Sequence, residues 1–124
     1  MDKERFESLV AKAVDALPEQ FRDRMENIDV VVEDLPSRDQ MDKSNLGKGY
    51  SLLGLYEGVP LTQRNSYYGM VPPDKITIFQ KVIESQYGSD DFAIQKEIGK
   101  VVRHEIAHHF GISDARLDEL EGKD

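Results

Sequence analysis

The sequence contains no cysteine, which excludes disulfide bonds, thiolate metal ligands and a cysteine nucleophile. Basic residues are outnumbered, with 16 Lys and Arg against 24 Asp and Glu and a net charge of -8, which does not suit binding to nucleic-acid phosphates. No apolar run approaches the roughly 20 residues that span a bilayer, and the sequence opens on charged residues rather than on an apolar secretion segment. These absences predict a cytoplasmic protein without a nucleic-acid or membrane partner, in which any metal is held by His, Asp or Glu.

The length of 124 residues corresponds to one domain, which we take to span residues 1–124. Apolar spacing and turn residues divide the chain into helices and strands. The predicted order is a helix over 3–17, a short helix over 19–26, a strand over 28–33, a loop over 36–49, strands over 50–56 and 74–80, and a long helix over 91–110. We expect the Val-rich first strand to be buried on both faces and Gly54 to mark a bulge or a close contact. Residues 88–91 (GSDD) should supply the N-cap oxygens of the long helix, with Asp90 among them, and Gly111 should end it.

All three histidines of the sequence fall within six residues, inside the long predicted helix. On a helix, His104 and His108 lie one turn apart on the same face, where both imidazoles can bind one zinc ion at about 2.0–2.1 Å. Glu105 follows the first histidine, and in such an HExxH pattern the glutamate moves the proton of a metal-bound water. Because zinc lowers the pKa of bound water from about 15.7 to about 7, the pattern predicts hydrolysis of a peptide or amide bond.

A catalytic zinc ion usually has three protein ligands, so a third donor is needed near the end of this helix. Asp114 is the candidate, because Gly111 lets the chain turn sharply and fold back toward the ion. An Asp at this place is also typical of a helix N-cap. Asp118 and Glu119 therefore remain alternative ligands.

Other side chains near the motif are interpreted as packing. His109 lies roughly 100° around the helix from His108, which makes it a packed or surface residue rather than a ligand, although it could support a ligand from behind. Tyr56, Tyr67 and Tyr68 could in principle stabilise an oxyanion, but tyrosines in strands and loops mostly serve packing.

Residues 104–114 (HEIAHHFGISD) resemble the zinc-binding signature of the zincin metallopeptidases, in the metzincin-like form that ends in Asp. The short chain, the stretch LLGLYEGVPL over 52–61 and the late position of the motif resemble the small bacterial zincin-like metallopeptidase family. The resemblance implies an α+β fold, a minimal zincin-like domain whose small mixed sheet of about three strands packs against an N-terminal helix and a long active-site helix. It also implies zinc (Zn2+) on His104, His108 and Asp114, with Glu105 as the catalytic base.

The residues and the resemblance together predict a zinc-dependent hydrolase, a metallopeptidase acting on an extended peptide or protein substrate. By analogy with the fold class, the substrate binds along an exposed sheet edge, and the strand over 74–80 is the candidate edge. The alternative is a non-catalytic binding or regulatory domain that zinc stabilises. A structural zinc site is usually closed by four protein ligands and has no use for Glu105, so this residue separates the two hypotheses.

Overall fold

The computed structural model describes residues 1–43, 52–58 and 73–111. In these residues the helices are α1 (Lys3–Asp15), α2 (Glu19–Arg22), α3 (Arg38–Lys43), α4 (Gln80–Tyr87) and α5 (Asp91–His109), and the strands are β1 (Ile28–Glu33), β2 (Gly54–Glu57) and β3 (Asp74–Phe79). A 3-10 turn, Asp23–Met25, follows α2. The chain has the α+β architecture expected from its sequence, and none of the described helices is long and apolar enough to cross a membrane.

The three strands form one mixed sheet in the order β1-β3-β2. β1 runs parallel to β3, with Val30 opposite Ile76, and β2 runs antiparallel to β3, with Tyr56 opposite Ile76. β3 is therefore the central strand, and its residues Ile76, Ile78 and Phe79 are fully buried. The prediction that this strand forms the exposed edge is wrong, because it pairs with a strand on each side.

The core lies where α1 and α5 pack against each other and against the sheet. Both helices turn an apolar stripe of three- and four-residue spacing inward. The buried residues of α1 are Phe6, Leu9, Val10 and Ala13, and those of α5 include Ile94, Ile98, Val102 and Ile106. Burying each of the larger side chains stabilises the fold by about 1.5–3 kcal/mol, so this contact holds α5 firmly in place.

β1 is less buried than its composition suggested. Of its six residues only Val32 is buried, and Asp29 is exposed. Among the described residues β1 has a neighbouring strand on one side alone, with α1 packed against it. The prediction of burial on both faces is wrong, because a Val-rich run fits a central strand and a strand at the margin equally well.

Two short helices, α3 and α4, were not predicted from the sequence. α3 lies inside the segment predicted as a loop, and it begins with a capping box. The backbone N–H of Gln40 donates to Oγ of Ser37 at 3.1 Å, and the backbone N–H of Ser37 donates to Oε1 of Gln40 at 2.8 Å. α4 begins at Gln80, so β3 ends one residue earlier than predicted.

Both ends of α5 agree with the prediction from their capping residues. The carboxylate of Asp90 accepts a hydrogen bond of 3.1 Å from the N–H of Ala93, as an N-cap does. After Phe110 at the C-cap, Gly111 takes a φ of 70°, a conformation that glycine adopts at little cost. The helix therefore ends directly after the third histidine.

Candidate metal centre

The last two turns of α5 carry His104, Glu105 and His108. Ile106 and Ala107 lie between them in the sequence and are fully buried, so this end of the helix is held against the core. His104 and Glu105 are half-buried, and His108 is exposed. Burial of the apolar residues thus directs the two predicted zinc ligands and the predicted base toward the surface.

The imidazoles of His104 and His108 lie side by side. Their ring centroids are 6.2 Å apart and their planes are nearly perpendicular, at 89°. The spacing of one helical turn lets a nitrogen of each ring bind one zinc ion at about 2.0–2.1 Å. Among residues 1–43, 52–58 and 73–111, no group of three or more His, Asp or Glu is arranged to hold a metal ion. The pair therefore fits zinc as two of the ligands that a site requires.

Glu105 is held by the sheet. Its Oε1 accepts a hydrogen bond of 2.8 Å from the backbone N–H of Tyr56 in β2. Partial burial raises the pKa of the Glu105 carboxyl above its ordinary value, and the Tyr56 N–H, His108 and His104 only partly oppose that rise. A carboxylate with a raised pKa takes up a proton more readily at neutral pH, which suits a general base.

A glycine allows β2 to lie this close to α5. An added Cβ at Gly54 would lie 2.5 Å from Cγ1 of Val101 and 3.2 Å from the carbonyl oxygen of Thr77. The close contact expected at Gly54 is therefore confirmed, since a larger residue would push the strand and the helix apart. The contact lies one helical turn before Glu105, and it brings the edge of the sheet to the predicted base.

A further group of contacts surrounds Tyr56. Its ring stacks on that of His109, with centroids 3.9 Å apart and planes 13° from parallel. Its hydroxyl donates a hydrogen bond of 2.6 Å to Oδ2 of Asp74, and Nε2 of His109 lies 4.0 Å from the same oxygen. Local sequence patterns do not predict this group, because its members come from β2, β3 and the end of α5.

A cleft of about 320 Å³ opens beside His104 and Glu105. Its other lining residues come from α5, from the first residue of β2 and from the two residues before it, and they are Leu52, Leu53, Gly54, Glu97, Lys100 and Val101. Most of this lining is apolar. The predicted base thus lies at the wall of a cleft that can receive part of a bound molecule.

The remaining residues considered at the sequence level lie outside the described residues. They are the proposed third ligand and its alternatives, Asp114, Asp118 and Glu119, and the two loop tyrosines, Tyr67 and Tyr68. Their roles stay predictions.

Comparison with known proteins matches the chain to a family. Residues 25–123 match the family of zincin-like metallopeptidases, a stretch that includes the three described strands and the HExxH helix. The chain belongs to this family. The resemblance inferred from residues 52–61 and 104–114 is confirmed, and with it the expectation of a minimal zincin-like domain.

A solved structure shares the fold of this zincin-like protein. It is that of a conserved hypothetical protein from Thermus thermophilus, which is 22% identical, with a TM-score of 0.53 over 99% of this chain and 100% of the other. At this level of identity the likeness concerns the fold alone. A search of the curated proteins finds no match.

Proposed function

We propose that this zincin-like protein is a zinc-dependent metallopeptidase in which Glu105 is the catalytic base. The observation that supports the proposal most strongly is the position of the Glu105 carboxylate. It follows His104 on the helix that also carries His108, and it is hydrogen-bonded to the Tyr56 N–H. Partial burial destabilises the charged form of Glu105. A solvated surface glutamate would not bear this cost, and a role in proton transfer explains why Glu105 does.

His104 and His108 would hold zinc through their ring nitrogens, and Asp114 is the proposed third ligand. When bound, zinc polarises the carbonyl of the cleaved bond and lowers the pKa of a water molecule. Three protein ligands would leave one position open for that chemistry. The absence of cysteine from the sequence fits a site made of nitrogen and oxygen donors.

The two oxygens of Glu105 would have separate roles. Oε1 accepts the Tyr56 N–H, which leaves Oε2 to carry a proton. Oε2 would take this proton from the attacking water while the new C–O bond forms, and would deliver it to the amine nitrogen as the C–N bond breaks. The hydrogen bond at Oε1 limits rotation of the carboxylate, so that one oxygen can serve both transfers.

β2 replaces the strand over 74–80 as the proposed substrate-binding edge. The N–H of Phe79 donates to the carbonyl of Leu53 at 3.0 Å. In an antiparallel pair, the backbone N–H and carbonyl groups of successive residues point alternately toward the partner strand and away from it. The backbone N–H and carbonyl of Gly54 therefore point away from β3, on the same side as the Tyr56 N–H that donates to Glu105. An extended peptide could add to this edge through main-chain hydrogen bonds.

The cleft beside Glu105 suggests the kind of peptide. Leu52, Leu53 and Val101 give it an apolar lining next to the proposed zinc ligand His104. Such pockets bind apolar groups and orient them with a few polar contacts. We propose that the substrate carries an apolar side chain beside the cleaved bond.

The test compares the zinc-loaded wild-type protein with the Glu105→Gln variant on a broad peptide library, with cleavage sites read by mass spectrometry. Loss of the base is expected to lower the rate by about 10²–10⁴-fold, while elemental analysis finds the same zinc content in both proteins. Glu4→Gln is the matched control, since Glu4 is an exposed residue in the first turn of α1. We expect this control to cleave at the wild-type rate.

A zinc-loaded wild-type protein that cleaves no peptide would contradict the proposal. Equal activity of the wild-type and Glu105→Gln proteins would contradict the role of Glu105. Zinc binding without turnover in either protein would favour the alternative, a non-catalytic domain that zinc stabilises.

A further inference from the structure

Tyr56 contacts three parts of the molecule that meet at the candidate metal centre. Its backbone N–H donates to Glu105 at 2.8 Å, and its hydroxyl donates to Asp74 at 2.6 Å. Its ring stacks on His109 at a centroid distance of 3.9 Å. A single residue of β2 therefore contacts the proposed base, the first residue of β3 and the last residue of α5.

The contact with His109 matters because of where His109 lies. It directly follows the proposed zinc ligand His108 and is the last residue of α5. Helix ends fray more readily than helix interiors. Ile106 and Ala107 hold this turn against the core, but the side chain of His109 is 41% exposed and is not fixed by that packing. The stacked ring of Tyr56 supplies a contact that restrains it.

The contact with Asp74 fixes Tyr56 in turn. Asp74 is only 8% exposed and lies at the start of β3, the central strand of the sheet. A hydrogen bond from a hydroxyl to a carboxylate is short and strong compared with one between neutral groups. The Tyr56 ring is thus tied to the rigid part of the sheet, and His109 stacks on a fixed surface.

We propose that Tyr56 is a positioning residue of this site, which acts together with Asp74 and His109. Its ring holds the last turn of α5, and with it His108, while its N–H holds Glu105. The inference rests on the proposed function, since it concerns the residues that would bind zinc and move the proton. It assigns to His109 a supporting role in place of ligation.

The test measures zinc affinity by competition with a chromophoric chelator at one fixed pH. Tyr56→Leu and His109→Ala both remove the stacked pair, and each is expected to weaken zinc binding by about tenfold or more, the effect typical of residues that support metal ligands. His109→Phe keeps an aromatic ring on Tyr56 and should restore most of the affinity that His109→Ala loses. Tyr56→Phe keeps the ring and removes the hydrogen bond to Asp74. Its zinc affinity should lie between those of the wild-type protein and Tyr56→Leu.

A matched control separates positioning from loss of stability. Tyr87 is a half-buried tyrosine whose hydroxyl donates to Glu97 at 3.0 Å, and it does not belong to the group around Tyr56. Tyr87→Leu should lower the midpoint of urea denaturation yet leave zinc affinity at the wild-type value. His109→Ala should weaken zinc binding and leave the urea midpoint nearly unchanged, because the side chain of His109 is partly exposed.

The outcomes distinguish this inference from the function on which it rests. If wild-type protein binds zinc and both Tyr56→Leu and His109→Ala bind it with unchanged affinity, the positioning role is overturned and the proposed metallopeptidase stands. If His109→Phe is as weak as His109→Ala, ring stacking is not the cause and the inference also fails. If the wild-type protein binds no zinc, the proposed function fails and the inference fails with it.

Discussion

The two faces of α5 differ in what surrounds them. Ile94, Ile98, Val102 and Ile106 on one face are fully buried, whereas His104, His108 and His109 lie off this face and reach the surface at the edge of the sheet. The buried face sets the rotation of the helix about its axis. Because the helix is continuous, that rotation also decides where the imidazoles and Glu105 point, so core packing and site geometry are linked through one element.

The largest effect is expected from Ile98→Ala, on the buried face. Removing most of a fully buried side chain leaves a cavity and should lower the free energy of unfolding by about 2–5 kcal/mol, as measured by urea denaturation of the metal-free protein. Zinc affinity of the folded variant should stay at the wild-type value, because Ile94, Val102 and Ile106 still fix the rotation of the helix. If the fully folded variant binds zinc more weakly, the two faces are coupled more tightly than we argue.

Gly54→Ala tests the contact between β2 and the middle of α5. The new Cβ would lie 2.5 Å from Cγ1 of Val101, and overpacking of this kind costs about 1–3 kcal/mol. Val101→Ala removes the obstructing methyl group. The double variant should therefore lose less free energy of unfolding than the two single variants lose in sum. Strict additivity in denaturation experiments would contradict the proposed close contact.

The smallest effect is expected at the far end of α5, from Asp90→Ala. Its carboxylate caps the helix through the Ala93 N–H, and loss of an N-cap costs about 1 kcal/mol. Asp90→Asn should retain most of that stability, since Asn caps nearly as well. Thermal unfolding measures both variants, and a change in zinc affinity in either would contradict the separation of the two ends.

Local patterns were sufficient wherever the deciding interactions are local. The β-branched run predicted β1 at Ile28–Glu33, and Asp90 and Gly111 predicted the ends of α5. The capping box of α3 was also local but lay in a polar segment without apolar periodicity, which favoured a loop. The strand order was not predictable in this way, because β3 becomes central only through pairing with strands distant in the sequence.

The same distinction applies to the candidate site. The HExxH spacing alone predicts His104 and His108 as ligands and Glu105 as the base, because a spacing of one turn is a property of a single helix. Their roles stay predictions. The partners Tyr56 and Asp74 could not be found from the sequence, since they reach α5 only after the sheet has formed.

The most direct test of the central claim is the zinc content of purified, untagged protein, measured by elemental analysis beside His108→Ala and Asp114→Ala. We predict one zinc ion per wild-type chain, loss of that zinc in His108→Ala and weakened retention in Asp114→Ala. Wild-type protein that carries no zinc and takes up none from a modest excess would contradict the claim that the end of α5 is a metal centre.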